Sequence, residues 1–437
     1  MLPRTPSSLP TAEVRPGGGT LRALLGGNVL WLSLVSLLND TASEMIYPLL
    51  PFFLIGTLGA SPAFLGLVEG IAESTSSFVK LASGWFSDRF ARRKPFVVTG
   101  YGVASAARPL IALASAPWHV LAIRFTDRLG KGVRSAPRDA LLAESVPPEV
   151  RGRAFGVHRA ADHAGAFLGP VLATLLLVLL ARDLRAVFAL AAIPGALAVG
   201  LLVWKVREDG RQQGSSSATP PEPAATPPST AAPQSGPPED TAAIEIRGAF
   251  RRYLVVLALF TLGNATDAFL LLRAGDLGVP LEAVPLLWGV HHVSKSVWSV
   301  PGGALADRVG PRAAILAGWL LYAATYAGFA AATAAWHAWA LFAVYGLFYG
   351  LTEAPEKALV AMLAPAGRRG AAFGAFHFTI GLTALPASVL FGALWARYGP
   401  TVAFLTGAAL ALAAAALLPL TRVRQSDPGA NRAGATA

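Results

Sequence analysis

The chain has 437 residues, of which 54% are hydrophobic and only 14% are charged, and its mean hydropathy is +0.52. Soluble domains contain roughly 25% charged residues, so this composition excludes an ordinary soluble enzyme. The net charge of +11 is not accompanied by any motif that reads RNA or DNA, and in a membrane protein basic residues first report topology. Cysteine is absent, which excludes disulfides and thiolate metal sites.

Hydropathy and turn signals predict about twelve membrane-spanning helices, and therefore an all-α membrane protein. The stretches 165–181 and 313–335 contain no charged residue and approach or exceed the ~20 residues that cross a bilayer. The predicted spans are 27–52, 63–86, 95–115, 118–140, 155–180, 186–204, 252–273, 283–305, 313–333, 337–360, 371–394 and 401–420.

Basic residues indicate the orientation of these spans. Arginine and lysine cluster after the second, fourth, eighth and tenth spans, whereas the loops 53–62, 115–118 and 334–337 hold neither. Because short cytosolic loops carry the excess of basic residues, both termini are expected in the cytosol of a bacterial inner-membrane protein. The exceptions on the other side are Arg182, Arg185, Arg273 and Arg397.

Composition also predicts the domain boundaries. Residues 207–247 are rich in Pro, Ser, Thr, Ala and Gly, and such a segment buries too little apolar surface to fold, so we expect a disordered cytosolic linker. The expected organisation is a tail at 1–22, a six-helix bundle at 23–206, the linker, a second six-helix bundle at 248–421 and a tail at 422–437.

The two predicted bundles share sequence at an offset of about 218 residues. GWFSDRFARRK at 84–94 matches GGALADRVGPR at 302–312, APRDAL at 136–141 matches APEKAL at 354–359, and RGRAFG at 151–156 matches RGAAFG at 369–374. Six spans return the chain to the same side, so the repeats are parallel, which is typical of one large class of transporters.

Three short motifs, each inside or just after a predicted span, carry a family resemblance. They are Gly84-x-x-x-Asp88-Arg89-x-x-Arg92 with a weaker copy at Gly303, Asp307 and Arg308, then Arg124 followed by Gly130 and Gly132, and finally Gly165-x-x-x-Gly169-Pro170. Together they resemble the major facilitator superfamily, and the resemblance covers nearly the whole chain. Ala91 stands where this family usually has glycine, so the turn there must be made otherwise.

The resemblance implies two pseudo-symmetric six-helix bundles with a central site and alternating access. It implies that the first motif latches the halves in the outward-facing state, and it associates the glycine–proline pattern with antiporters. The expected latch residues are Gly84, Asp88, Arg89, Arg92, Gly303, Asp307 and Arg308. The expected partners are the lipid bilayer, a small solute and protons, without nucleic acid, ATP or any cofactor, and a monomer is expected.

Charged residues inside the spans indicate where such a site lies, because an intramembrane charge costs about 2.5–3.5 kcal/mol and usually marks a pathway or a relay. The carboxylates Asp40 and Glu44, and likewise Glu69 and Glu73, lie four residues apart and share a helix face. These four are the proton-coupling candidates, with Asp40 or Glu73 preferred. The candidates for substrate contact or countercharge are Arg124, Asp127, Arg128, Lys131, Arg134, His158 and Asp162.

Alternatives remain for each assignment. A network of permanently paired charges competes with the proton-coupling reading. His158 and Asp162 share a helix face, which makes transport of a divalent metal ion a further alternative, although no resident metal is expected. Gly130-Lys131-Gly132 lacks the spacing and hydroxyl of a nucleotide phosphate loop, and neither an enzyme nor a non-transporting sensor is preferred. We expect proton-coupled efflux of a small organic compound, for which the basic stripe favours an anion; uptake of an anionic metabolite is the alternative.

Overall fold

The computed structural model describes residues 27–89, 93–147, 150–208, 239–364 and 369–421, without the side chains at 84, 85, 87–89, 239–245 and 369. Both predicted tails and most of the predicted linker lie outside these residues. The described chain is helical and contains no strand, which agrees with the predicted all-α class.

The N-terminal half consists of six helical segments. They are α1 (Gly27–Ile46, continued by turns at Tyr47–Leu49, Leu50–Phe52 and Phe53–Thr57), α2 (Pro62–Arg89), α3 (Lys94–Ala107, continued by Arg108–Leu113), α4 (Pro117–Glu144), α5 (Arg151–Leu179) and the split α6a (Leu184–Leu190) and α6b (Ala192–Lys205).

The C-terminal half repeats this arrangement. Its helices are the split α7a (Glu239–Gly263) and α7b (Ala268–Asp276), then α8 (Val284–Val309), α9 (Pro311–Ala331), α10 (Ala335–Leu363), α11 (Arg369–Tyr398) and α12 (Pro400–Leu417, continued by Leu418–Thr421). Helix α7a begins inside the segment that composition assigns to the linker. Within the described residues, seven spans are long and apolar enough to cross a membrane; the others include α1, α2 and α4, whose charged faces lower their hydropathy.

The sequence repeat is visible in helix capping. The ring nitrogen Nδ1 of His119 accepts backbone N–H bonds from Ser115 and Ala116 at the start of α4. His337 accepts the equivalent bonds from Thr333 and Ala334 at the start of α10. Both rings satisfy N–H groups that a helix start otherwise leaves unpaired. The internal prolines of these helices, Pro137 and Pro355, also occupy equivalent positions of the repeat.

The two halves meet along two long helix contacts, α2 with α11 and α5 with α8. Glycines permit the close approach, since a carbon added at Gly70 would lie 2.9 Å from the Cα of Leu385. The hydroxyl of Ser74 also donates to the carbonyl of Gly381 at 2.6 Å. We call the end of the bundle where α6b ends and α7a begins the linker side, and the other end the opposite side.

Candidate binding cavity

A cavity of about 620 Å³ lies between the two halves. Its linker-side end is lined by the charged side chains of Lys80, Asp139 and Arg159, and the Arg159 side chain is 63% exposed. At its other end the hydroxyls of Tyr47 and Thr266, one from each half, are 3.4 Å apart. The cavity therefore opens toward the linker side and is closed toward the opposite side.

Three further polar contacts between described side chains join the halves on the closed side. Trp288 Nε1 of α8 donates to Glu44 Oε2 of α1 at 2.8 Å, and His292 Nε2 lies 3.8 Å from the same oxygen. Nearer the opposite surface, Arg182 Nε donates to Glu282 Oε1 at 2.5 Å. Arg182 has φ of 66°, in the left-handed region that non-glycine residues rarely adopt. The halves are thus held together where the cavity ends.

Beside the cavity, the N-terminal half contains a buried network of paired charges. Arg124 donates from Nε to Glu69 Oε1 at 2.9 Å and from Nη2 to Oε2 at 2.7 Å. Asp127 accepts from Arg108 Nε at 2.7 Å, and Arg108 also donates to Asn39 Oδ1 at 2.9 Å. Both ion pairs are buried. Such pairs are costly to break, because removing one partner leaves a buried charge without compensation.

Three further cations follow one another along the same face of α4 and line the cavity: Arg128, Lys131 and Arg134. Arg128 is 8% exposed and Arg134 is 4% exposed. Among the described residues, Arg128 Nε and Arg134 Nη1 have no hydrogen-bond partner. The nearest carboxylate to Arg128 lies at 4.0 Å, from Asp127, and Arg134 stacks at 4.2 Å on the ring of Tyr101.

Two carboxylates of the same half face the cavity without such pairing. Asp40 accepts a hydrogen bond of 2.9 Å from Asn39 Nδ2, and Glu73 is exposed to the cavity. Within the described part of the chain, neither forms an ion pair with an arginine or lysine. Both act electrostatically on the Lys131 ammonium. The cavity wall of the N-terminal half therefore carries negative as well as positive side chains.

The wall contributed by the C-terminal half is polar and aromatic. Asp267, in the break between α7a and α7b, accepts hydrogen bonds from Tyr345 at 2.7 Å and from Tyr349 at 3.1 Å. Trp288, which is 5% exposed, lies on the same wall. The described cations form no ion pair with Asp267, so this wall presents a carboxylate whose hydrogen bonds come from neutral groups.

Comparison with known proteins shows the family. Residues 32–291 and 253–437 match the model of the Major Facilitator Superfamily. An uncharacterized MFS-type transporter of Methanocaldococcus jannaschii is 32% identical over 400 residues, which are 90% of this chain and 94% of that protein. The chain belongs to the Major Facilitator Superfamily. It is therefore a multi-pass membrane transporter of a small-molecule substrate and, as predicted, not an enzyme.

Two further proteins are similar to this chain, one over part of its sequence and one over most of its structure. The multidrug resistance protein MdtH of Salmonella arizonae is 30% identical over 149 residues, 34% of this chain and 36% of that protein. The crystal structure of the nucleoside transporter NupG (D323A mutant) superposes with a TM-score of 0.71 at 14% identity, covering 90% of this chain and all of that one. The structural likeness confirms the fold of a superfamily transporter.

The glycine–proline motif of this superfamily member holds α5 against α1. A carbon added at Gly169 would lie 2.7 Å from the carbonyl oxygen of Thr41, and one at Gly165 would collide with the carbonyl of Leu37. Gly130 and Gly132 similarly allow α4 to approach α3 and α2 closely, as the sequence predicts. These motif glycines position the helices that carry the cavity charges.

The remaining predicted residues have separate places. His158 Nε2 lies 3.6 Å from Asp162 Oδ1, and Asp162 accepts from Ser36 at 2.5 Å. No group of three or more His, Cys, Asp or Glu side chains within the described residues is arranged to hold a metal ion. In the expected latch, Asp307 and Arg308 are exposed. Gly84 lies near the end of α2, whereas Arg92 and the side chains of Asp88 and Arg89 lie outside the described residues.

Sequence reasoning missed Arg108, although this residue is 4% exposed and holds Asp127. Arg108 lies before Pro109, at the start of the turn that continues α3. It also missed that Glu44 faces the other half. A charge in the interior of the third predicted span was the available signal for Arg108, whereas the facing of Glu44 depends on how the halves dock.

Proposed function

We propose that the chain exports a small organic compound in exchange for protons. The observation that carries this proposal is the pair Asp40 and Glu73, two carboxylates that face the cavity beside Lys131 without ion pairs to the described cations. A carboxylate in such a place binds a proton when the solute leaves and releases it when the solute binds. Competition between proton and solute for one site is the simplest basis of exchange.

Export is supported by two further observations. Gly165 and Gly169 pack α5 on α1 in the pattern that the superfamily associates with antiporters. The partial similarity to MdtH, which is named a multidrug resistance protein, points the same way. A second candidate, uptake of an anionic metabolite, is favoured by the cations Arg128, Lys131 and Arg134 on the cavity wall, because an anionic solute neutralises positive charge there.

In this proposal the protein lies in a bacterial inner membrane with its linker side facing the cytosol. It acts as a monomer without ATP. Residues 23–206 and 248–421 move as two bundles that the linker at 207–247 connects. The present structure is then the inward-facing state. Asp307 and Arg308 are exposed at the linker side here. We propose that they and the equivalent Asp88, Arg89 and Arg92 latch the two halves when that side closes.

Flux through purified protein in liposomes tests the proposal. An inward-directed proton gradient is imposed, a library of metabolites, drugs and metal ions is supplied, and a pH-sensitive dye follows proton movement. Exchange predicts that at least one organic compound moves against the proton direction. Compound flux that does not depend on the proton gradient contradicts the exchange proposal. Flux of a compound in the same direction as protons also contradicts exchange and supports anion uptake.

A further inference from the structure

Cations line the α4 wall of the cavity and the carboxylate of Asp267 lies on the facing wall, while Asp40 and Glu73 add negative charge to the N-terminal half. Most charged groups near the cavity are compensated locally, as Arg124 is by Glu69 and Arg138 by Asp139 at 2.8 Å. What remains on the α4 wall is the row Arg128, Lys131 and Arg134. What remains on the facing wall is the carboxylate of Asp267.

We propose that the transported compound is a zwitterion that bridges the two halves, with its anionic group on the Arg128–Lys131–Arg134 row and its cationic nitrogen at Asp267. This assignment rests on the proposed transport function and names the chemical class of its substrate.

The α4 row suits a carboxylate, sulfonate or phosphate group. Buried guanidinium nitrogens without protein acceptors, Arg128 Nε and Arg134 Nη1, are strong donors to an oxyanion, and a guanidinium binds such a group through two parallel hydrogen bonds. Asp40 and Glu73 act on Lys131, but neither comes within ion-pair distance of Arg128 or Arg134. The two arginines therefore keep donors for the solute.

The facing wall suits an organic ammonium. Asp267 supplies the negative charge, and its two tyrosine hydrogen bonds fix the orientation of the carboxylate. The rings of Trp288 and Tyr349 line the same space, and aromatic faces attract organic cations. The Lys295 ammonium already lies over the Tyr349 ring, 4.2 Å from its centre, so a bound ammonium contacts Asp267 and the aromatic surface that Lys295 leaves open.

A singly charged solute fits this arrangement less well. An anion pairs with the α4 row and leaves Asp267 without a counterion when the cavity closes around the solute. A cation pairs with Asp267 and leaves the arginines without one. Burying an uncompensated charge is unfavourable. A zwitterion satisfies both walls at once and ties the α4 half to the α7 half, as a solute must when its binding drives the halves together.

Equilibrium binding to the purified full-length chain, without any gradient, tests the assignment. The probes are amino acids whose amino and carboxyl groups are separated by increasing spacers, from glycine to 6-aminohexanoate, together with 4-(aminomethyl)benzoate. Each is compared with its analogue lacking the amino group and its analogue lacking the carboxyl group, for example benzoate and benzylamine. We expect at least one zwitterion to bind at least tenfold more tightly than both of its analogues.

Variants locate the two ends of the bound probe. Arg128→Gln should weaken the zwitterion and the carboxylate analogue by tenfold or more and leave the amine analogue unchanged, and Asp267→Asn should do the converse. Arg397→Gln and Asp276→Asn, at exposed positions away from the cavity, are the matched controls. Arg128→Lys and Asp267→Glu keep the charge, so partial binding by these variants shows that the loss in the first pair is not misfolding.

The assignment is overturned if every zwitterion binds no better than its singly charged analogues, or if no probe binds at all. Its failure is separable from failure of the export proposal. Zwitterion binding without proton-driven flux would contradict export and leave the assignment standing. Proton-driven flux of a singly charged compound would do the reverse.

Discussion

The indole N–H of Trp288 donates a 2.8 Å hydrogen bond to the carboxylate of Glu44, and this contact joins the two halves at the closed end of the cavity. The indole also packs on Tyr47, with ring centres 5.3 Å apart. One side chain of the C-terminal half is therefore held by both a charge and a ring of α1. The contact has to break when the cavity opens toward the opposite side.

Trp288→Phe keeps an aromatic ring at this position and removes the N–H. A hydrogen bond to a charged group contributes about 1.5–3 kcal/mol, so the population should shift by more than tenfold away from the state described here. Because the chain lacks cysteine, Ser115→Cys and Thr333→Cys provide a clean spin-label pair across the opposite side. The distance distribution should move to longer values. Trp336→Phe, at an exposed tryptophan, is the control, and an unchanged distribution in Trp288→Phe refutes the role.

The Arg182–Glu282 ion pair at the opposite surface should make a smaller contribution and should depend on pH. A backbone hydrogen bond of Glu282 itself and the Arg182 guanidinium hold the pKa of the Glu282 carboxyl below its usual value. The pair therefore persists at neutral pH and is lost as the pH falls through that lowered pKa.

At neutral pH, Glu282→Gln should lengthen the spin-label distances in the same way as acid does in the wild type. The ratio of the two conformations should change by at most about fivefold, as is usual for exposed ion pairs. Asp276→Asn removes an exposed carboxylate at the end of α7b and serves as control. An acid response that survives in Glu282→Gln would assign the pH effect to another group.

The Glu69–Arg124 pair is expected to stabilise the fold rather than to exchange protons. Glu69→Gln removes the two-bond partner of the buried Arg124 and leaves it only Asp127, at 3.5 Å. The change should lower the free energy of unfolding by up to about 3–5 kcal/mol, seen as a loss of thermal stability in detergent. Glu73→Gln, one turn along α2 but exposed, should stay within about 0.5 kcal/mol. Replacing both partners by methionine should recover most of the loss; equal melting of Glu69→Gln and the wild type would disprove the assignment.

Close packing of α1 and α5 makes Gly165 intolerant of a side chain. Gly165→Ala drives a methyl group into the backbone of Leu37 and should cost about 1–3 kcal/mol. Gly156 lies on the same helix with nothing within 4 Å, so Gly156→Ala should be neutral or stabilise by about 0.5–1 kcal/mol. Thermal unfolding of the two variants side by side checks this, and equal stabilities would contradict the packing account.

The helices and their repeat were predictable because apolar length, loop charges and the matched segments are local properties of the sequence. Partner choice was not. Glu69 and Glu73 share one helix face, yet only Glu69 reaches Arg124, since they lie one turn apart and the register of α2 against α4 decides which carboxylate meets which cation. The facing of Glu44 and Asp267 depends on docking of the halves. Helix α7a starts at Glu239, inside the predicted linker, because the polar first turn of a helix has a composition similar to that of a linker.

Proton exchange at Asp40 and Glu73 is the central claim, and pH-driven flux in proteoliposomes tests it most directly. The compound with the largest pH-driven flux through the wild type is measured with Asp40→Asn, Glu73→Gln and the double variant. We expect the double variant to lose flux driven by the proton gradient while it still exchanges labelled for unlabelled compound at equal pH. Gradient-driven flux that is unchanged in the double variant would contradict the account.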